Sequence, residues 1–113
     1  MSSDLLLVKR DGLMLREVKQ QTPEICLEAV RQNSWALQYV LEQTEEICLE
    51  AVKQNSWALQ YVLEQTEEMC LEAVERDVNV LQFVKNITPK IREVASRQAG
   101  YDMIRYAMTK YHF

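Results

Sequence analysis

The chain has 113 residues, 48% of them hydrophobic and 27% charged, with a formal net charge of −4. This suits one domain with a continuous core, and no apolar run approaches the roughly 20 residues that span a bilayer. Residues 22–84 hold 12 acids against 3 bases, whereas residues 85–113 hold 6 bases against 2 acids; an acidic body with a basic end argues against direct nucleic-acid binding, which needs a broad basic surface.

Residues 1–21 open with a short apolar patch, Leu5–Val8, preceded by acidic Asp4 in place of a basic segment. A secretory leader is therefore not expected, and the cytoplasm is the expected compartment. Leu5, Val8, Leu15 and Val18 recur 22 residues later as Leu27, Val30, Leu37 and Val40. The segment reads as a diverged first repeat, serving as an N-terminal cap.

Residues 22–43 and 44–65 are near-copies: only Pro23/Glu45 and Arg31/Lys53 differ. Such a strict period indicates an array of identical structural units. Thr22-Pro23 is a helix start, with a hydroxyl at the N-cap and proline at the first helical position. Glu24, Glu45, Glu46, Glu67 and Glu68 place negative charge in first turns, where the helix dipole favours it. Ile25, Cys26, Leu27, Ala29 and Val30 share one face of an amphipathic helix of about ten residues. Asn33 fits a left-handed helix end and Ser34 the N-cap of a second helix. That helix is expected over Trp35–Glu42, with Ala36, Leu37, Val40 and Leu41 as its apolar centre. Each helix is too short to be stable alone, so neighbouring repeats must bury these faces.

Residues 66–87 form a third clear copy, and 88–113 start like the others at Thr88-Pro89, then diverge into a C-terminal cap. The expected fold is all-α: a right-handed-type α-solenoid of about five 22-residue helix–turn–helix repeats, ten short helices in one domain. The columns Leu5/Leu27/Leu49/Leu71, Val8/Val30/Val52/Val74, Leu15/Leu37/Leu59/Leu81 and Val18/Val40/Val62/Val84 read as core ladders.

Three further columns bear on function. Cys26, Cys48 and Cys70 lie 22 residues apart, without the close pairs of a zinc site. They read as buried, reduced thiols acting as small hydrophobes, so no metal is expected. The aromatic columns Trp35/Trp57/Asn79/Tyr101 and Tyr39/Tyr61/Phe83 either seal the groove between repeats or form an aromatic stripe that anchors a partner. The acidic columns Glu28/Glu50/Glu72 and Glu42/Glu64 either face solvent or guide a basic partner.

The only histidine is His112, and Gly12 and Gly100 occur singly. No nucleophile–base set, no metal motif and no phosphate-cradling loop can be assembled. Catalysis and cofactors are therefore not expected. The expected function is binding to a protein partner, through Trp35, Tyr39, Trp57, Tyr61 and Phe83 with Glu28, Glu50, Glu72, Glu42 and Glu64 as guides. An inhibitor that imitates nucleic acid with its acidic rows, and a homo-oligomer built by self-assembly, are the alternatives.

The string at Ala51–Val62, AVKQNSWALQYV, and its twin at Ala29–Val40 resemble a family of short tandem helical repeats with a V-K-Q-N-G-x-A-L-x-Y motif. That family is found in bacteria, phages and giant viruses and has no assigned function. Ser34 and Ser56 replace its usual glycine, which Gly12 and Gly100 keep. The resemblance implies a helical repeat fold without an activity, and is compatible with a viral protein that binds a host protein.

Overall fold

The computed structural model describes residues 3–98, whose regular elements are all helices, with no strand among them. Five α-helices, α1 (Ser3–Arg10), α2 (Pro23–Gln32), α3 (Glu45–Gln54), α4 (Glu67–Arg76) and α5 (Pro89–Gln98), alternate with four 3₁₀-helices, η1 (Gly12–Glu17), η2 (Ser34–Tyr39), η3 (Ser56–Tyr61) and η4 (Val78–Phe83). Each α-helix packs on the next α-helix, and each 3₁₀-helix on the next 3₁₀-helix. The result is a helical repeat solenoid, a rod of 50 × 20 × 20 Å. The second half of the fifth repeat, with Gly100, Tyr101 and His112, lies outside the described residues.

The α-helices begin as the threonines predict. The hydroxyls of Thr22, Thr44, Thr66 and Thr88 each accept from the amide three residues on, at 3.2 Å, which satisfies one donor that a helix start leaves open. The α-helices end differently from expectation. Asn33 is extended, not left-handed, at φ −154°, and its amide donates to the Ala29 carbonyl. Its side chain, not that of Ser34, starts the following helix: Asn33 Oδ1 accepts from the Trp35 amide at 3.0 Å. Asp11, Asn55 and Asp77 do the same for their own repeats. A short carbonyl two residues before an amide makes this turn without help. Ser34 and Ser56 are instead buried. In the same column a Cβ at Gly12 would collide with the Ala29 carbonyl oxygen, whereas the fourth repeat accommodates Val78 there, partly buried.

The second helix of each repeat is also shorter and tighter than expected. It is a six-residue 3₁₀-helix ending at Tyr39, and does not reach Glu42. Beyond it the chain turns extended at Val40, and the preceding repeat takes up the backbone there. Gln21 Nε2 donates to the Tyr39 carbonyl at 2.8 Å, and Gln21 Oε1 accepts from the Leu41 amide at 2.9 Å. Backbone groups that would continue a helix are already taken. Leu41 is consequently outside the core: it is 70% exposed, and its equivalent Leu63 is 67% exposed.

The core runs the length of the rod. The columns Leu15/Leu37/Leu59/Leu81 and Val18/Val40/Val62/Val84 are buried, as are Val8, Val30, Val52 and Val74. Ala29, Ala51, Ala73 and Ala95 have no exposed surface, so the α-helices can approach closely at these positions. One predicted ladder is only partly a core feature: Leu5 is buried, while Leu27, Leu49 and Leu71 are half-buried against the core.

Candidate functional site

The aromatic columns meet across repeat boundaries. Trp35 stands edge-on to Tyr61, with ring centroids 5.5 Å apart and planes at 74°, and Trp57 stands likewise to Phe83 at 5.3 Å and 71°. Edge-to-face pairing of this kind contributes about 0.5–1.5 kcal/mol beyond area burial. All four rings, and Tyr39, are half-buried. The indole Nε1 of Trp57 also donates to Asp77 Oδ2 at 2.8 Å, again one repeat on. Trp35, Tyr61, Trp57 and Phe83 therefore join one repeat to the next, each with a partial edge left to solvent.

The two acidic columns separate. Glu28, Glu50 and Glu72 are half-buried and engaged: Arg31 lies 3.4 Å from both Glu28 and Glu50, bridging two repeats, and Arg76 lies 3.1 Å from Glu72. Such exposed pairs contribute about 0–1 kcal/mol each. Glu42 and Glu64 are exposed, and among the described residues they form no ion pair.

A column of glutamines outside the predicted site holds the repeats together. Gln21, Gln43 and Gln65 each precede a capping threonine and reach forward into the next repeat. Gln43 donates to the Tyr61 carbonyl at 2.8 Å and accepts from the Leu63 amide at 2.9 Å. Gln65 donates to the Phe83 carbonyl at 2.7 Å and accepts from the Lys85 amide at 2.9 Å. The cysteines complete this clamp. The thiols of Cys26, Cys48 and Cys70 donate to the same glutamine oxygens at 3.4–3.5 Å. The cysteine column is thus buried, as expected, but it also has a hydrogen-bonding task. A signal existed in the sequence: glutamine recurs at 21, 43 and 65, each time directly before a capping threonine.

Burial pushes the Cys26 thiol above its usual value and those of Cys48 and Cys70 up to about 11 from 9.0, with the Glu67 charge adding to the rise at Cys70. The thiols are free, and in this state they are poor nucleophiles and poor metal ligands. Among the described residues no group of three or more His, Cys, Asp or Glu could hold a metal ion. Because the folded-state value lies above the unfolded one, the retained protons contribute stability below pH 9.0. That contribution is lost as pH rises towards 11. Unfolding midpoints measured from pH 8 to 11 are expected to fall across this window, and to fall less in a Cys48→Ala/Cys70→Ala variant.

What remains open on the surface is a ridge with grooves beside it. Gln21, Thr22, Cys26, Leu41 and Glu42 line a groove of about 280 Å³. Their equivalents one repeat on, Gln43, Thr44, Cys48, Leu63 and Glu64, line a groove of about 470 Å³. The two share Thr44 and are therefore contiguous. Leu41 and Leu63 stand at the wall of each groove with most of their surface in water. The column reads Lys19, Leu41, Leu63, Lys85, so two exposed leucines are bounded by a lysine at each end.

The family described as a domain of unknown function, DUF4116, matches the chain twice, over residues 22–66 and 44–87. The two matches start 22 residues apart and together cover more than half of the chain. The chain belongs to the DUF4116 family. One DUF4116 unit therefore spans two of the 22-residue repeats, and the overlap places successive units one repeat apart. This is the span over which one glutamine clamp and one aromatic pair are complete. No curated protein and no solved structure significantly matches the chain. No described helix of this DUF4116 array is long and apolar enough to cross a membrane.

Proposed function

We propose that this DUF4116 array is a non-enzymatic module that binds a protein partner through the ridge carrying Leu41, Glu42, Leu63 and Glu64. The observation that supports this reading most is the exposure of Leu41 and Leu63, 70% and 67%, at the same position of adjacent repeats. Packing does not require leucine there, since Lys19 and Lys85 occupy the equivalent positions in the neighbouring repeats. Exposed apolar groups in register beside a groove are what a partner's side chains can bury. The half-buried rims of Trp35, Tyr39, Trp57, Tyr61 and Phe83 supply further contact area in this reading. Glu28, Glu50 and Glu72 contribute less, because arginines already neutralise them in part. A role as a virus-encoded inhibitor of a host protein is one form of this function, supported by family resemblance alone.

The test is affinity capture from lysate with the wild-type chain beside a Leu41→Ser/Leu63→Ser variant. A protein retained by the wild type and lost with the variant is the expected result. An identical set of captured proteins on both would rule out the ridge as the binding surface.

A further inference from the structure

The two contiguous grooves constrain the shape of what they accept, and the surrounding charge constrains its composition. Adjacent repeats pack as neighbouring helices do, about 8–10 Å apart, so Leu41 and Leu63 offer two equivalent apolar contacts at about that spacing. In an α-helix, residues seven apart rise about 10.5 Å and return to within about 20° of the same face. In an extended chain, same-face residues are about 6.6 or 13 Å apart, and neither matches. Glu42, Glu45 and Glu64 line these grooves with the leucines, are exposed and form no ion pair among the described residues, against a single lining lysine, Lys19.

We propose that the grooves beside Leu41 and Leu63 seat one basic amphipathic α-helix of a partner protein, with apolar residues seven apart facing the two leucines and Lys or Arg facing the glutamates. Charge complementarity selects the partner's composition and the repeat spacing selects its helical form. This proposal rests on the protein-binding reading given above and specifies its occupant.

The test is selection of a random 20-residue peptide display library on the full chain, with counter-selection on the Leu41→Ser/Leu63→Ser variant. Enriched peptides are expected to be basic, to carry apolar residues seven apart and to gain helical circular dichroism on binding. Their affinity is expected to fall at least about tenfold for the leucine variant, and by a comparable factor for Glu42→Gln/Glu64→Gln, which keeps the apolar ridge. Enriched peptides that are acidic, extended or indifferent to both variants would overturn the proposal, as would no enrichment. A wild-type dimer that becomes monomeric in the leucine variant, by light scattering, would identify a second copy as the occupant and overturn it too. A lysate partner lost with the leucine variant but lacking a basic helix would leave the protein-binding reading standing without this occupant.

Discussion

Replacing Gln43 with alanine is expected to lower the unfolding free energy by about 3 kcal/mol. One side chain there holds three groups: the Tyr61 carbonyl, the Leu63 amide and the Cys48 thiol. All three belong to the next repeat, so the loss is concentrated at the interface between repeats 22–43 and 44–65. A partly buried polar group left without a partner costs about 1–3 kcal/mol; water can reach the exposed Leu63 amide, which holds the total below the sum of three such terms. Gln38→Ala is the matched control. Gln38 Nε2 bonds only the Trp35 carbonyl within its own turn, at the exposed surface, and its loss is expected to change stability by less than about 0.5 kcal/mol. Denaturant unfolding of both variants gives the comparison. Equal effects would mean that the clamp does not couple the repeats. In an array whose stability is mostly nearest-neighbour coupling, the Gln43 variant is also expected to lose cooperativity, seen as a lower denaturant slope.

Trp57→Ala is the second large effect, at about 3–4 kcal/mol. It removes the half-buried ring, its edge contact with Phe83 and the indole bond to Asp77. Trp35→Ala is expected to cost about 1 kcal/mol less. Its ring is paired with Tyr61 in the same way, but the residue equivalent to Asp77 one repeat earlier is Asn55, which carries no charge to strengthen an indole bond. Thermal unfolding of the two single variants reads this difference. A larger loss for Trp35 than for Trp57 would contradict the inter-repeat assignment of these rings.

These two cases also show what was legible beforehand. The period, the threonine caps and the buried columns follow from residue type and spacing, because each depends on short-range geometry that a repeat makes redundant. Asparagine suits both a left-handed helix end and an extended position that caps the next helix, and at Asn33 only the neighbouring backbone decides between them. Helical periodicity carried past Tyr39 puts Leu41 in the core, whereas the folded chain exposes it. The chain instead turns extended at Val40, where Gln21, 20 residues before Leu41, bonds the Tyr39 carbonyl and the Leu41 amide, a contact no local pattern reveals. The aromatic columns were left open between sealing and anchoring. The fold places their rings across repeat boundaries, but it leaves their outer edges in solvent. For the acidic columns the residue types are identical, and only the positions of Arg31 beside Glu28 and Glu50 and of Arg76 beside Glu72 separate the engaged column from that of Glu42 and Glu64.

The central claim is that Leu41 and Leu63 are surplus to folding and stand free for a partner, while the glutamine and aromatic columns are committed to holding the array together. Denaturant unfolding of the Leu41→Ser/Leu63→Ser variant tests it most directly. Two exposed side chains replaced by serine are expected to leave the unfolding free energy within about 0.5 kcal/mol of wild type. A loss of 2 kcal/mol or more, on the order of a buried leucine's contribution, would show that these leucines are packed in solution and would remove the surface on which the proposed binding depends.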